Sequence, residues 1–325
     1  MKRVLKLVAR ASLCLAALVP VLAAAQASPG AAVRWIVPYP AGGGADVVAR
    51  IVSHEMQKAL GQPLVIDNRP GGGTRIGMGA LTAAPADGYT VATADVATLA
   101  FNPALYSRLP YDPRGSFAYV GGLARTPFVL AVRQGLGVNS VKEFIELARS
   151  QPGRLSYASA GPGSPHHIAM EMLQQRAQVR LNHIPYKGGA PALQDLMAGQ
   201  VDVMMLDLPG LLANRGTQRF RTLGVALPAR HALLPEVPTL DEAGLAGVVA
   251  YSWQVLLVKT GTPRQAVDHL ARALASAVAQ PAVRERLSNA GADLLPLTPA
   301  QAAELVEAEI RKWAPVIQAA NIQLD

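Results

Sequence analysis

The chain has 325 residues, half of them apolar and 16% charged, with one cysteine and a formal net charge of +8. That length suits one large core or two medium ones, and a lone Cys14 excludes an internal disulfide framework. The basic residues are spread along the chain without a run of about 5–8, which argues against a nucleic-acid surface.

Lys2, Arg3, Lys6 and Arg10 precede an apolar run over residues 11–22, and "AAAQAS" (23–28) follows. A basic start, a short apolar centre and a small-residue exit describe a secretory signal peptide over residues 1–27, cleaved near Ala25 or Ala27. The run falls short of the roughly 20 residues that a spanning helix needs. Cys14 lies inside it, and "ASLC" lacks the small residues that should stand directly before a lipidated cysteine. The exported chain therefore carries no thiol, so neither a Cys–metal site nor a thiol nucleophile is expected, and its formal charge falls to +4 once the four cations leave. A mildly basic exported protein suits an anionic small ligand.

From residue 33 onward, short apolar runs alternate with helical patterns. "RWIVPY" (34–39) reads as a strand running into a loop. A helix over 46–60 follows, with Val47, Val48, Ile51, Met56 and Leu60 on one face and Gly61 past its end. "PLVIDN" (63–68) is the next strand, "RPGGG" a second glycine loop, 74–84 a small-residue helix and "YTVATA" (89–94) a third strand. Strands at 128–133, 155–161, 181–186 and 201–206 then alternate with helices at 140–153, 164–177 and 190–199. Strands at 221–227 and 252–258 and long helices at 263–280 and 299–320 complete the chain. This order describes βαβ units and an α/β protein with a mostly parallel or mixed sheet. No linker separates two halves, so the chain is expected to cross between them near residues 125–130 and 248–252.

In "PYPAGGGAD" (38–46), glycines stand at the strand-to-helix turn. Glycine permits positive φ and admits a ligand close to the backbone. The first N–H groups of a helix lack intrahelical partners and carry the positive end of its dipole, so an anion suits them. A tight βα turn that uses glycine for packing is the alternative. Asp46 is an odd member, since a carboxylate in the first turn competes with a bound anion; it either caps its own helix or holds a water or an ammonium group. Neither GxxxxGK[ST] nor GxGxxG is present, so a P-loop and a dinucleotide site are excluded and no cofactor is expected.

"SYASAGPGSPHHIAMEM" (156–172) is the second constellation. Ser164 stands at an N-cap and Pro165 at the first helical position. The Ser164 hydroxyl, with the N–H groups of Gly161 and Gly163, suits a second edge of an anion. Adjacent His166 and His167 point about 100° apart on a helix and His54 and His183 have no partner at i+4, so no metal site is expected. One of the pair is read as packed and one as exposed, with His167 the better candidate to face a cleft. Ser164 lacks the GxSxG elbow of a serine hydrolase. In "HIPYKGGAPALQDLMAGQVDVMM" (183–205), "YKGG" again leads from a strand into a helix, and Lys187 is either a surface charge or a ligand contact.

Eight stretches in this order, "PYPAGGGAD", "IDNRPGGG", "IGMGALTAAPADGYT", "NPALYSRLPYDP", "LSYASAGPGSPHH", "HIPYKGGAPALQDLMAGQVD", "LPEVPTLDEAGL" and "SWQVLLVKTGTP", closely resemble the periplasmic receptors of tripartite tricarboxylate transporters, the Bug-type (Bordetella uptake gene) receptors. The resemblance covers residues 33–325. It implies a two-lobed periplasmic binding protein type II (Venus flytrap) fold, with lobe 1 formed by 28–127 plus 251–325 and lobe 2 by 128–250. It implies a small organic carboxylate held in the cleft largely by backbone N–H groups, no catalysis, a periplasmic location, membrane components of a tripartite transporter as partners, and a monomer. Carried over residue by residue, the first loop is Tyr39, Pro40, Ala41, Gly42, Gly43 and Asp46. The second is Ser159, Ala160, Gly161, Gly163, Ser164 and His167, and Tyr186 and Lys187 occupy the "PYKG" positions.

Three departures bear on the ligand. Gly44 replaces a frequent Pro or Thr, Arg75 a frequent Asn or Thr, and Asp207 in "MMLDLPG" falls one place later than the usual Asp. An Arg75 that reached the cleft would favour a second carboxylate on the ligand. The competing classes are an exported hydrolase acting on a carboxylate or ester, with Ser164, a distant His183 and Asp207 as its machinery, and a sensor partner that presents its ligand to a regulator.

Overall fold

A computed structural model describes residues 32–324; the signal peptide read over residues 1–27, with Cys14, lies outside them. The first three strands, β1 (Val33–Val37), β2 (Leu64–Asn68) and β3 (Thr90–Asp95), run parallel, with β1 between the other two. Helix α1 (Gly44–Leu60) connects β1 to β2 and buries Val48, Ile51, Val52, Met56 and Leu60. It ends at Gly61, whose φ of 64° turns its N–H back onto the carbonyls of Gln57 and Lys58, the glycine stop that the sequence pattern predicts. Helix α2 (Arg75–Ala83) connects β2 to β3, and a π-helical turn, Ala97–Phe101, leads into the short α3 (Asn102–Leu105).

The sheet is mixed, in the order β2-β1-β3-β9-β4-β7-β5-β6. Strand β9 (Tyr251–Lys259) lies antiparallel between β3 and β4 (Phe117–Arg133). Only 128–133 of β4 read as a strand in the sequence, yet β4 is continuous over 17 residues. The reason lies in its glycines. A Cβ on Gly122 would fall 2.1 Å from the Leu295 carbonyl oxygen, and one on Gly121 would fall 2.9 Å from that of Leu297. The chain crosses the strand there, so the positions that would have carried apolar periodicity must stay bare. Pro127, which has no N–H to give to a ladder, marks a change of partner: β4 pairs with β9 up to Pro127 and with β7 (Val203–Asp207) from Phe128. Its last residues also pair with β8 (Phe220–Val225).

Beyond β4, helix α4 (Val141–Ser150) is capped by Ser140, which accepts from the Glu143 N–H. Strand β5 (Ser156–Ser159), helix α5 (Pro165–Ala177), β6 (Asn182–Pro185) and α6 (Gly189–Met197) follow, and β5 runs parallel to both β6 and β7. The sequence pattern missed α7 (Leu208–Asn214) and α9 (Pro281–Asn289). The first is too short for a periodicity, and the second begins at a proline with a single residue, Gln280, between it and the end of α8 (Arg264–Ala279). Strand β10 (Asp293–Leu294) pairs with β4, and α10 (Pro299–Ala319) closes the chain behind a capping box made by Thr298 and Gln301.

One buried apolar cluster runs from Ile36 and Met78 through Phe128 and Tyr157 to Trp313 and Ile317, and so reaches from β1 to β5 across the sheet. Within it, the buried Glu309 carboxylate accepts the indole N–H of Trp253 (3.1 Å) and of Trp313 (2.7 Å). This pins β9 to α10. Replacing Glu309 with alanine leaves two buried donors without an acceptor, and each such loss costs about 1–3 kcal/mol. We therefore expect Glu309→Ala to lower unfolding free energy by about 2–6 kcal/mol in urea titrations, and an unchanged midpoint would refute this role.

Candidate functional site

The carboxyl ends of β1 and β3 carry one set of candidate residues, and those of β5, β6 and β7 carry the other. These are the places where an open α/β sheet offers its loops and helix starts. In the first set, Pro40, Ala41 and Gly42 are exposed and Gly42 takes φ of 81°, a conformation that favours glycine. Gly43 is the N-cap of α1 and supplies no side-chain cap. Among the described residues, the N–H groups of Gly44 and Ala45 have no acceptor.

Asp46 does not cap its own helix with its side chain. It is only 2% exposed. One carboxylate oxygen accepts the Gly42 N–H (2.9 Å) and Arg50 Nε (2.8 Å), and the other accepts Asn68 Nδ2 (2.9 Å). Asn68 also donates to the Tyr39 carbonyl at 3.0 Å. Asp46 thus braces the loop from behind, with Arg50 one helical turn on as its counter-charge. Burial by itself would raise its pKa; the bonds from Arg50, the Gly42 amide and Asn68 outweigh it and hold the carboxyl below its ordinary value. Tyr39 also points inward, where its hydroxyl donates to the buried Asp95. Asp95 accepts the Thr98 N–H and hydroxyl as well, and burial raises the pKa of both Tyr39 and Asp95.

The second loop is built in the same way. The Gly163 N–H donates to His167 Nδ1 at 3.0 Å, and Ser164 caps α5 by accepting the His167 N–H at 3.3 Å. In both loops an amide donates to the side chain four residues on, in the first turn of the following helix. Gly161 donates to Ser159 Oγ at 3.1 Å, and Tyr186 donates its N–H to the Ser159 carbonyl. A Cβ on Gly161 would lie 3.2 Å from the Tyr186 carbonyl oxygen, so the "PYKG" turn lies against this loop. Lys187 is exposed, while the Tyr186 hydroxyl turns away to Asp195 at 2.7 Å. The N–H groups of Gly42, Gly161 and Gly163 each have an acceptor in their own loop or in the first turn of the helix after it.

His166 and His167 are both buried, which corrects the expectation of one packed and one exposed ring. His167 stacks on His183 with centroids 4.0 Å apart, and His183 stacks on Tyr157 at 4.7 Å. Glu171 closes the column, accepting the Tyr157 hydroxyl at 2.5 Å and Gln174 Nε2 at 2.7 Å, and it lies 3.8 Å from His167 Nε2. Burial, helped by His183, lowers the His167 pKa to about 3, so the ring is neutral and free to accept from Gly163. His183 pairs with the fully buried Ser159 hydroxyl at 2.7 Å and not with Ser164. Asp207 caps α7 by accepting the Gly210 N–H at 2.8 Å and lies 3.4 Å from His166 Nε2. The Ser164–His183–Asp207 grouping required by a hydrolase is therefore not assembled. Arg75 does not reach toward these loops; it donates to the Gly72 carbonyl and stacks 4.0 Å over the Tyr106 ring.

The sequence reading missed Asn68, Asp95 and Glu171 as loop supports. The spacing of Asp46 and Arg50 was a legible signal, but the long-range partners carry none.

The sequence profile of the tripartite tricarboxylate transporter family receptors, TctC, matches residues 48–322. A UPF0065 protein in the tcbD-tcbE intergenic region of Pseudomonas sp. strain P51 is 38% identical over 293 residues, covering 90% of this chain and 87% of the relative. BugT of Bordetella pertussis is 32% identical, covering 92% of each. Among solved structures, Rpa4515 of R. palustris, described with adipate, superposes with a TM-score of 0.83 at 33% identity, covering 90% of this chain and 98% of that one. MatC of Rhodopseudomonas palustris, described with bound malate, superposes with a TM-score of 0.80 at 33% identity, covering 88% and 98%.

The His167 column makes stability depend on pH. From its ordinary value of 6.5 down to about 3, His167 is protonated in the unfolded chain and neutral in the folded one, so stability falls as pH drops through that window. His183, also lowered by burial, acts in the same sense, whereas Glu171, raised by burial, opposes them at the acid end. His167→Gln keeps an acceptor for Gly163 and removes the titration. It should flatten the slope of stability between pH 6 and 4 by up to about 1.4 kcal/mol per pH unit, and an identical slope in urea unfolding would contradict the assignment.

Proposed function

The chain belongs to the tripartite tricarboxylate transporter receptor family and is a periplasmic solute-binding receptor of the Bug type, and from that premise we propose that it captures a small organic carboxylate between its two glycine-bearing loops. The observation that carries this reading is the bare start of α1. Its Gly44 and Ala45 N–H groups lack acceptors among the described residues, and the loop before it is exposed at Pro40, Ala41 and Gly42. A carboxylate completes those donors and meets the positive end of the helix dipole. On the second loop, the Ala160 N–H has no acceptor among the described residues, and Lys187 brings an exposed positive charge to the neighbouring turn. Four or five charge-assisted hydrogen bonds at about 1.5–3 kcal/mol each, less the costs of association, reach the roughly −8 kcal/mol of a micromolar ligand. The adipate and malate of the two solved relatives support a carboxylate of modest size.

We assign residues 28–127 and 251–325 to lobe 1 and 128–250 to lobe 2. The change of partner along β4 between Pro127 and Phe128 supports that division. Closing the lobes presents both loops to one ligand, and the loaded receptor, a monomer, hands it to the membrane components of a tripartite transporter. The role is binding without chemistry, since the Ser159–His183 contact is buried and its hydroxyl is already engaged by Gly161.

A thermal-shift screen against mono-, di- and tricarboxylates tests the reading. A true ligand at 100 times its Kd should add about 2.7 kcal/mol of stability and be recovered unchanged. A panel in which no carboxylate shifts the transition would overturn the proposal, and recovery of a hydrolysed ligand would replace it with the enzyme reading. For the ligand found, Asp46→Ala should weaken binding about tenfold or more by releasing the Gly42 turn, as read by calorimetry.

A further inference from the structure

Glycine at position 163 answers to a part of the molecule far from it in sequence. Gly163 has φ of 72° and is buried, and a Cβ on it would fall 2.7 Å from Leu324 Cδ1 and 2.8 Å from Leu105 Cδ1. The second loop is therefore closed over by two leucine side chains, one from α3 and one from the segment that follows α10.

That segment is shaped to arrive there. Asn321, at φ of 51°, ends the helix in the left-handed conformation, and its N–H returns to the Gln318 carbonyl. Residues 322–324 then alternate: Ile322 and Leu324 pack on the apolar cluster that reaches from β1 to β5, while Gln323 faces out. The Leu324 N–H donates to the Leu105 carbonyl at 2.9 Å. Helix α10 itself lies against α3, β4 and α5, and Gln175 of α5 donates to the Val316 carbonyl at 2.9 Å. The segment is thus tied by its backbone to α3, on the side of the first loop, and by its side chain to Gly163 of the second.

We propose that Ile322–Leu324 is a positioning strap for the second binding loop: Leu324 holds Gly163 in the geometry that lets its N–H donate to His167, and thereby sets the aim of Ala160 and its neighbours at the ligand. The proposal rests on the receptor reading above for its functional consequence, but the packing it invokes does not. A purely structural tail would stabilise the whole fold without acting selectively on residues 159–167.

The test uses the full mature chain with Leu324→Ala and, as a control on the same segment, Gln323→Ala. Two measurements are needed, amide hydrogen exchange without ligand and calorimetric titration with malate and adipate. Leu324→Ala should speed exchange at Gly163 and Ser164 about tenfold relative to the remainder of α5, and should weaken binding of whichever probe the wild type takes by about tenfold; Gln323→Ala should do neither. Exchange that rises uniformly along the chain, or loop exchange that is unchanged, overturns the strap. Faster loop exchange with undiminished affinity overturns its part in binding. If the wild type binds neither probe, the receptor reading is what those probes count against, and the exchange measurement still decides the strap. Should Leu324→Ala fail to fold, Leu324→Val, which keeps most of the side chain, is measured in its place with the same two outcomes.

Discussion

Strand β4 is the constraint on which the remaining architecture depends. It is the element that serves β9 along its first part and β7 and β8 along its last, so both halves of the sheet are registered against one backbone. Because a one-residue slip in a strand reverses every side chain, the register of the strands in both halves is set through it. Side chains reinforce the junction. Arg125 on β4 meets Asp293 at 3.1 Å, and Asp293 meets His231 at 3.0 Å, which ties the segment after β8 to β10. Bending at this junction costs few ladder bonds, since Pro127 has no N–H to lose.

On that frame the two candidate loops are held by one device used twice. Gly42 donates to Asp46 and Gly163 donates to His167, each across four residues into the first turn of the next helix. The chemistry differs where the geometry agrees. Asp46 is an anion and needs Arg50 and Asn68 to be tolerated in its buried position, whereas His167 is kept neutral by burial and by the imidazole stacked on it. Either way, the loop is held by a side chain from the first turn of the helix that follows it.

Much of the fold was legible because α/β units announce themselves. The apolar stripe of α1, its Gly61 stop, the Ser140 and Ser164 caps and most of the strands follow from periodicity and turn chemistry. What was lost is non-local. The first half of β4 is hidden by glycines that make room for residues 295–297, and no local pattern reports a neighbour more than 170 positions away. The site was legible as two loops but not as a set of roles. His167 reads as a cleft residue until its stack with His183 and Tyr157 is known, and Asp46 reads as a misplaced charge until Asn68 is placed beside it.

Glycine is where sequence reasoning about such sites is weakest, because one residue type serves incompatible purposes. Gly122 is bare because a backbone crosses it, Gly163 because two leucines do, and Gly42 because a turn needs positive φ with nothing within 4 Å of the missing Cβ. Only the last has open space around the missing Cβ, yet all three look alike in the chain. The distinction has an energetic consequence. A loop whose shape is set by buried partners loses little freedom when an anion arrives, so less of the gross hydrogen-bond energy is spent on ordering. On the proposed receptor reading, Gly42 supplies the opening, and the buried groups that hold both loops supply the rigidity that makes an opening of a few amides enough.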